Sequence, residues 1–595
     1  MKRLSFHDFL GTLRSVVGRF PFPLLLSLVG TVLAIVLIHV DDPNPWSNML
    51  MVLSLATPVS VVIVLFAEGM GWGNRRVWIF NAVLTLMMVG YFFILPESAE
   101  LVVSVFLRHV MWTFAFVLGV TFIAFVRQYG EMAVGRFWEF CRRLVVATIL
   151  TGIWAFALQM GLMAALSSTD FLFSLSIPDE RYAELMALIA GVFCTTFFLS
   201  RVPRKPSELS ADLAYPKEVR LFTTFVLVPL VSIYFIILYL YTGKILLTGE
   251  WPEGQLAYII LGFSVVGLLT YLALYPLRKE VAWVRAAGTA LCVAIIPQAL
   301  MLMWSLWFRV SEYGLTENRY LVYVYGVWLL GVSIYLLASR LKDIRVIPLS
   351  LFVLAILCSV GSWGAFSVSV HSQAGRLEDI LERNDRFVDG KYVASDNEVS
   401  DEDLYEMSQV LNYLVEEREV YWVIEPWFEE ELDFSDVNRW SQAEFVMEDG
   451  FGLEYRFYVP SRGEPDPRES FNFSLSDLNV AIPIDNHEFV FEYYNHLITP
   501  ISVGEKTLRL AVNQAEERID LTLDDDPLGY IPLKELIDRG MKSSQFRPMH
   551  LEDATVVVQT EKFNAKVVVK SLQGYKEDDR VLIDYIFTTI FLTLK

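Results

Sequence analysis

Cysteine, basic charge and catalytic signatures are each in short supply here, and each shortage removes a class of protein. Only four cysteines occur among 595 residues, Cys141, Cys194, Cys292 and Cys358, all in or beside hydrophobic runs. Their spacing fits no zinc site, and beyond Cys358 there is no thiol to form a disulfide. Basic residues are scarce in the C-terminal part: Ser367–Lys595 holds 22 Lys and Arg against 47 Asp and Glu. A surface of that sign repels phosphodiester backbones, so nucleic acid is not an expected partner. No Gly-rich phosphate loop, HExxH pattern or nucleophile elbow occurs, so catalysis is the less favoured reading, with no cofactor or metal expected. Residues 1–20 are too polar for a cleavable signal peptide, and no internal repeat stands out.

Hydrophobicity is abundant. Apolar residues make up 54% of the chain, and the mean hydropathy is +0.44. A hydrocarbon core about 30 Å thick takes about 20 apolar helical residues. Eleven segments meet that need: 21–40, 47–67, 77–95, 101–126, 144–166, 182–200, 221–241, 256–277, 286–308, 320–339 and 346–366. The expected architecture is an α-helical polytopic membrane bundle followed by a β-rich α+β, sandwich-like domain. Its divisions are an interfacial amphipathic helix over 1–20, a transmembrane domain over 21–366, a helical junction and connector over 367–399, and an acidic domain over 400–595. Phe6, Leu10, Leu13 and Val17 recur at helical spacing in the first of these, which suits a helix lying in the membrane surface.

Charge sets the orientation. The loops on the N-terminal side, here the first face, carry 21 Lys and Arg, among them Arg19, Arg75, Arg76, Arg142, Arg278, Lys279 and Arg340. The loops on the opposite, second face carry four: Arg181, Lys244, Arg309 and Arg319. Positive loops stay in the cytoplasm. The expectation is therefore a cytoplasmic N-terminus and, after an odd number of spans, a C-terminal domain outside the cytoplasm.

Polar groups inside the spans are costly and mark candidate sites. Arg108 and His109 interrupt the fourth segment, with snorkelling or pairing to Glu97 or Glu100 as the alternative for Arg108. Gln159, and Gln298 beside Pro297, are candidates that also suit interhelical hydrogen bonding. Asp41 and Asp42 follow the first span, where a carboxylate pair suits metal binding or base catalysis on a lipid-linked donor, though the loop is short and a solvated turn fits it better.

From the seventh span onward, over 229–276, 312–340 and 344–381, the chain carries a resemblance, and two elements of it are the most specific. The loop Tyr313-Gly314-Leu315-Thr316, continuing to Arg319-Tyr320, and the junction Gly361-Ser362-Trp363 through Gln373 to Arg376-Leu377 resemble an uncharacterised family of polytopic bacterial membrane proteins, known as a domain of unknown function (DUF4153). The likeness covers most of the membrane region and the junction, then fades in the acidic part. It implies a bacterial envelope membrane protein and carries over no catalytic residue. Both stretches fall on the second face. Gly314 permits a tight turn there, while Arg319 and Tyr320 suit interfacial anchoring. Arg309 and Arg319, with Arg376 nearby, equally suit an anion or lipid-headgroup site.

In the acidic part Ser400 is a good N-cap, followed by Asp401, Glu402 and Asp403 in the favourable first turn and by Leu404, Met407, Leu411 and Leu414 at helical spacing. Beyond it the period becomes two. Strands are expected over 452–459, after a hairpin turn at Glu448-Asp449-Gly450, and over 470–475, 488–493, 505–512, 517–523, 555–560, 564–570 and 580–594. A short helix is expected from Pro532 to Gly540. Trp422, Trp427 and Trp440 suit packing, or a carbohydrate or partner surface. The favoured function is an inner-membrane protein that anchors an extracytoplasmic binding domain for scaffolding or sensing, with membrane lipid and an envelope protein or polymer as partners. The alternatives are a transporter or lipid flippase and, less favoured, a membrane transferase.

Overall fold

The computed structural model describes all residues except 1–5, 41–45, 97–102, 207–208, 210–214, 216, 250–254, 430–431, 435–436, 438–440, 457–468, 475–487, 495–500, 504–505, 525, 538–553 and 578–579. The chain forms two compact units, Met1–Asp379 with Tyr413–Pro426, and Ile380–Asn412 with Trp427–Lys595.

The first unit is a helical bundle. Among the described residues nine helices are long and apolar enough to cross a membrane: Trp46–Met70, Asn74–Ile94, Val103–Phe125, Glu131–Phe173, Asp179–Arg201, Val219–Thr248, Ala257–Arg278, Ala282–Ser311 and Glu317–Ala338. Pro21–Leu37 adds a tenth; it meets the amphipathic helix Phe6–Arg19 at a bend of 102°. The eleventh predicted segment ends early. Its helix, Val346–Ser359, has 14 residues, roughly 21 Å of rise, and stops short of the predicted residue 366. A glycine turn ends it: Gly361 has φ +77°, and a Cβ on Gly364 would lie 2.8 Å from the Val360 carbonyl oxygen, so neither position tolerates a side chain without strain. The fifth helix errs the other way. Glu131–Phe173 has 43 residues, and its first turns bury Phe137, Trp138 and Phe140 in the bundle core. The chain is a multi-pass membrane protein.

Helix ends meet in two sets, as alternating spans require. At the first face Arg19 pairs with Glu68 at 2.7 Å and donates to the Val202 carbonyl at 2.7 Å. There Arg345 also donates to the carbonyls of Phe125 and Gln128, and Lys279 pairs with Glu131. At the second face Asn48 donates to the Pro96 carbonyl, His39 meets Glu184 and Tyr320 donates to the Trp363 carbonyl. Between the faces aromatic tips cross-link neighbouring helices: Trp112 to Ser359, Trp138 to the Leu272 carbonyl, Trp328 to Ser350. Hydrocarbon supplies no competing water, so such contacts and close packing hold the bundle. One helix adapts to its neighbour. Asp179–Arg201 widens into a π-turn at Ile189–Cys194. There the Ser27 hydroxyl donates to the Gly191 carbonyl, and a Cβ on Gly191 would fall 1.8 Å from Thr31 Oγ1.

The second unit is β-rich. Two antiparallel sheets build its core. The strands are β3 Glu469–Ser474, β4 Phe489–Tyr494, β5 Ile501–Val503, β6 Lys506–Asn513, β7 Arg518–Leu523, β8 Asp526–Pro532, β9 Thr555–Gln559, β10 Phe563–Glu577 and β11 Arg580–Leu594. A two-stranded ribbon of β1 Phe387–Val388 and β2 Lys391–Tyr392 precedes them. The larger sheet has the order β3-β10-β11-β4, with β9 also on β10; the smaller runs β5-β6-β7-β8. Leu508, Leu510, Ile519 and Leu521 of the small sheet share one core with Phe563, Val567, Ile586 and Ile590 of the large one, which makes the pair sandwich-like.

Ser400 caps its helix as expected, its side chain accepting from the Asp403 amide. The predicted strand at 452–459 is not formed in its described part. Val446–Gly450 is a π-turn rather than a hairpin turn. The Leu453 amide returns to the Met447 carbonyl, and the Arg456 amide donates to Ser408 on the capped helix. The backbone here bonds to a helix and its preceding turn, not into a sheet; 457–459 lie outside the described residues. A helical turn occupies 534–537, and Gly540 lies outside the described residues. Strand β8 escaped the sequence reading because Pro527 and Gly529 disguise it. Gly529 is needed there, since a Cβ would come within 2.6 Å of the Phe563 ring.

Candidate functional site

Three of the predicted arginines converge at the second-face end of the bundle. The helix Ala282–Tyr313 ends in Gly314 at φ +66°. Leu315 and Thr316 then lead into the next helix, whose first turn holds Glu317 and Arg319. The junction helix Ala365–Arg383 supplies Ser372, Gln373 and Arg376. Gln373, buried, donates to the carbonyls of Tyr313 at 3.1 Å and Leu315 at 3.2 Å. Ser372 accepts from the Leu315 amide at 3.0 Å. Gly314 is fixed by two demands, the left-handed φ and the close Gln373 amide, which a Cβ would meet at 2.8 Å.

On this frame Arg319 donates to the Tyr313 carbonyl at 3.0 Å and the Gly314 carbonyl at 2.7 Å. The guanidiniums of Arg319 and Arg376 lie 5.7 and 5.9 Å from the centre of the Tyr313 ring. The positive charges of Arg309 and Arg376 both bear on Arg319. Like charges brought together repel, so such a cluster favours an anion between them. Arg319 thus both closes the turn, as interfacial anchoring requires, and contributes charge to the cluster.

Beside it lies a pair that the sequence reading missed. Glu317, 3% exposed, accepts from Arg418 Nε at 2.8 Å and Nη2 at 3.2 Å. The Arg418 guanidinium sits 4.8 Å from the Tyr413 ring centre. Burial disfavours its charge, but the bonds and charge of Glu317 outweigh this and hold the guanidinium above its ordinary pKa. The same carboxylate, after the larger effect of burial, helps push the Tyr413 phenol well up. One acid in the first turn of a helix looks like ordinary dipole complementation; only the fold reveals a partner 101 residues away.

The other candidates stand apart. His109 is buried, with Nε2 2.9 Å from the Ser54 hydroxyl and Nδ1 3.4 Å from the Tyr91 hydroxyl. Arg108 lies over the Phe366 ring at 5.0 Å, a placement that keeps its charge near the second face; Glu97 and Glu100 are outside the described residues. Gln298, also buried, accepts from Thr242 at 3.3 Å, which is the contact of an interhelical strut. Asp41 and Asp42 lie outside the described residues.

A cavity of about 790 Å³ opens among the first, second, fourth, fifth and sixth spans. Leucine, valine and alanine dominate its wall, and Ser27, Ser54, Thr57, Thr148 and Thr195 interrupt it. Ser54 links it to His109. Among the described residues no charged one lines it.

The chain matches the family described as Domain of unknown function (DUF4153) over residues 26–395 and belongs to that family. It is also 25% identical over 240 residues to an uncharacterised protein of Pasteurella multocida, strain Pm70. That alignment takes in 40% of each chain, so this chain spans only 40% of the relative's length. No solved structure matches. Arg309, Arg319 and Arg376 fall inside the family region, whereas Arg418 and the sandwich fall beyond it.

Proposed function

We propose that this member of the DUF4153 family is a bacterial inner-membrane protein, its first face cytoplasmic, that anchors an extracytoplasmic binding domain and holds an anionic partner at the arginine cluster of its outer face. The supporting observation is the placement of Arg319 and Arg376 at the Tyr313 ring, with the charge of Arg309 also bearing on Arg319. Guanidiniums at a membrane interface suit the phosphate of a lipid headgroup or an anionic envelope polymer. The uneven distribution of Lys and Arg between the two faces supports the orientation. Native mass spectra of the full chain extracted in a mild detergent test the reading. Wild type is expected to retain phosphatidylglycerol or cardiolipin, and the Arg309→Gln, Arg376→Gln double variant about tenfold less. Equal retention at equal protein yield defeats the cluster as an anion site. Arg319→Gln serves as the comparison for anchoring, because it also loses two bonds to the turn.

The 790 Å³ cavity favours a second reading, a lipid-handling protein such as a flippase. A ligand-scale chamber with an apolar wall and no counter-charge suits a hydrocarbon chain rather than an ion. Headgroup-labelled lipid moved across reconstituted vesicles by wild type, and not by a variant narrowed with Ala34→Phe, supports that alternative; equal movement with and without protein removes it.

A further inference from the structure

A second basic site lies at the opposite, first face, and no part of the proposal above uses it. A pocket of about 310 Å³ is enclosed by the ends of Ala257–Arg278 and Ala282–Tyr313 and by the loop before Val346. Arg278, Lys279, Arg285, Arg340 and Lys342 all line it, against a single carboxylate, Glu131. That carboxylate is occupied by Lys279 at 2.6 Å. Asp343, on the neighbouring loop, is likewise occupied by Arg345 at 2.6 Å. Among the described residues no carboxylate pairs with Arg340 or Lys342.

The positive-inside rule alone does not account for this arrangement. Orientation needs basic residues only somewhere in the loop; here they surround a buried polar group. Tyr271 is 7% exposed and lines the pocket, and its hydroxyl lies against the Arg278 guanidinium without a hydrogen bond of good geometry. Arg278 stacks over Tyr275 with its carbon 4.0 Å from the ring centre and donates through Nη2 to the Tyr275 hydroxyl and the Leu341 carbonyl. Its Nη1, buried, has no partner. Arg285 is turned onto the loop, donating to the carbonyls of Arg278 and Lys279. Gly288 leaves room for the Tyr271 ring, which a Cβ would meet at 3.3 Å. A rigid, stacked guanidinium and a buried hydroxyl, both with donors to spare, thus face two further cations. Buried donors without acceptors are costly, and an oxyanion with several acceptor atoms relieves them together.

We propose that this pocket binds a phosphate group, carried by a lipid headgroup or by a small phosphorylated molecule, through Tyr271, Arg278, Arg340 and Lys342. Phosphate offers acceptors for a guanidinium fork and hydroxyl at once, and pocket volume and position between helix ends suit a headgroup.

Two probes separate the sources. Full-length protein in detergent is titrated with cardiolipin, followed by native mass spectrometry, and separately with inorganic phosphate at constant ionic strength, followed by thermal shift. Wild type is expected to bind at least one probe; cardiolipin alone identifies a lipid headgroup, and phosphate alone a soluble ligand. The Arg340→Gln, Lys342→Gln double variant, altered in a surface loop, is expected to bind the same probe about tenfold more weakly. Tyr271→Phe, which removes one oxygen and keeps the ring, is expected to weaken it about threefold. If neither probe binds wild type, or if both variants bind as wild type does, the proposal is wrong.

Discussion

The membrane bundle and the acidic sandwich solve the same problem, where to place backbone polar groups, in opposite ways. In the bundle each helix satisfies its own backbone, so apolar side chains such as Leu86, Phe93 and Ile94 face outward, into what is hydrocarbon for a multi-pass protein. Contacts between spans are then few and specific, such as the tips of Trp112 and Trp328 on serines. In the sandwich the backbone is satisfied by strands far apart in sequence: β3 at 469–474 pairs with β10 at 571–576. Its apolar side chains point inward, with Phe563, Val567, Ile586 and Ile590 fully buried, and the carboxylates stay in water. The bundle is therefore assembled from parts that are stable singly, and the sandwich only as a whole. Local damage is expected to stay local in the first and to spread in the second.

The largest expected effect probes that spread. Phe563→Ala removes a ring shared by both sheets and leaves a core cavity, at a cost of about 3–5 kcal/mol. Thermal unfolding should show loss of the whole sandwich while helical circular dichroism persists; loss of the helices as well would blur the contrast. Next is the most deeply buried ion pair among the described residues, Arg418 with Glu317. Arg418→Ala leaves Glu317 buried and unpaired, at about 3 kcal/mol, and should expose the segment 413–426 to protease without loss of the spans. Ser400→Ala is smaller, about 1 kcal/mol for a lost helix cap, readable as a lower denaturant midpoint. Smallest is Trp112→Phe, which loses one interhelical bond worth about 0.6 kcal/mol; heating in detergent should barely distinguish it from wild type.

The same physics explains what the sequence disclosed. Hydrocarbon requires each span to be long, apolar and self-sufficient, so every helix of the bundle is visible as a run of residues. Where the runs misled, a local feature intervened: the turn at Gly361 and Gly364 cut the last helix short, and buried Phe137 and Trp138 carried the fifth beyond the apolar stretch. Period two found most sandwich strands, but it failed at 452–456, where the backbone bonds to a helix, at the three-residue β5, and at β8, where Pro527 and Gly529 hide a strand. Arg309 and Arg319 were legible because they flank one short loop, and Arg376 because it belongs to the junction stretch that carries the family resemblance. Glu317 with Arg418 was not, because its partners are joined by the fold alone. The first-face basic residues were read only as orientation signals. Their pocket depends on Tyr271, which looks in sequence like any aromatic residue of a span.

Sidedness tests the central claim most directly. Single cysteines placed at Lys595 and at Lys217, in a chain with its four native cysteines replaced by serine or alanine, are treated with a membrane-impermeant maleimide on spheroplasts before and after lysis. The account predicts that Lys595→Cys reacts on intact spheroplasts and that Lys217→Cys reacts only after lysis. The reverse pattern would put the arginine cluster and the sandwich in the cytoplasm and contradict the account.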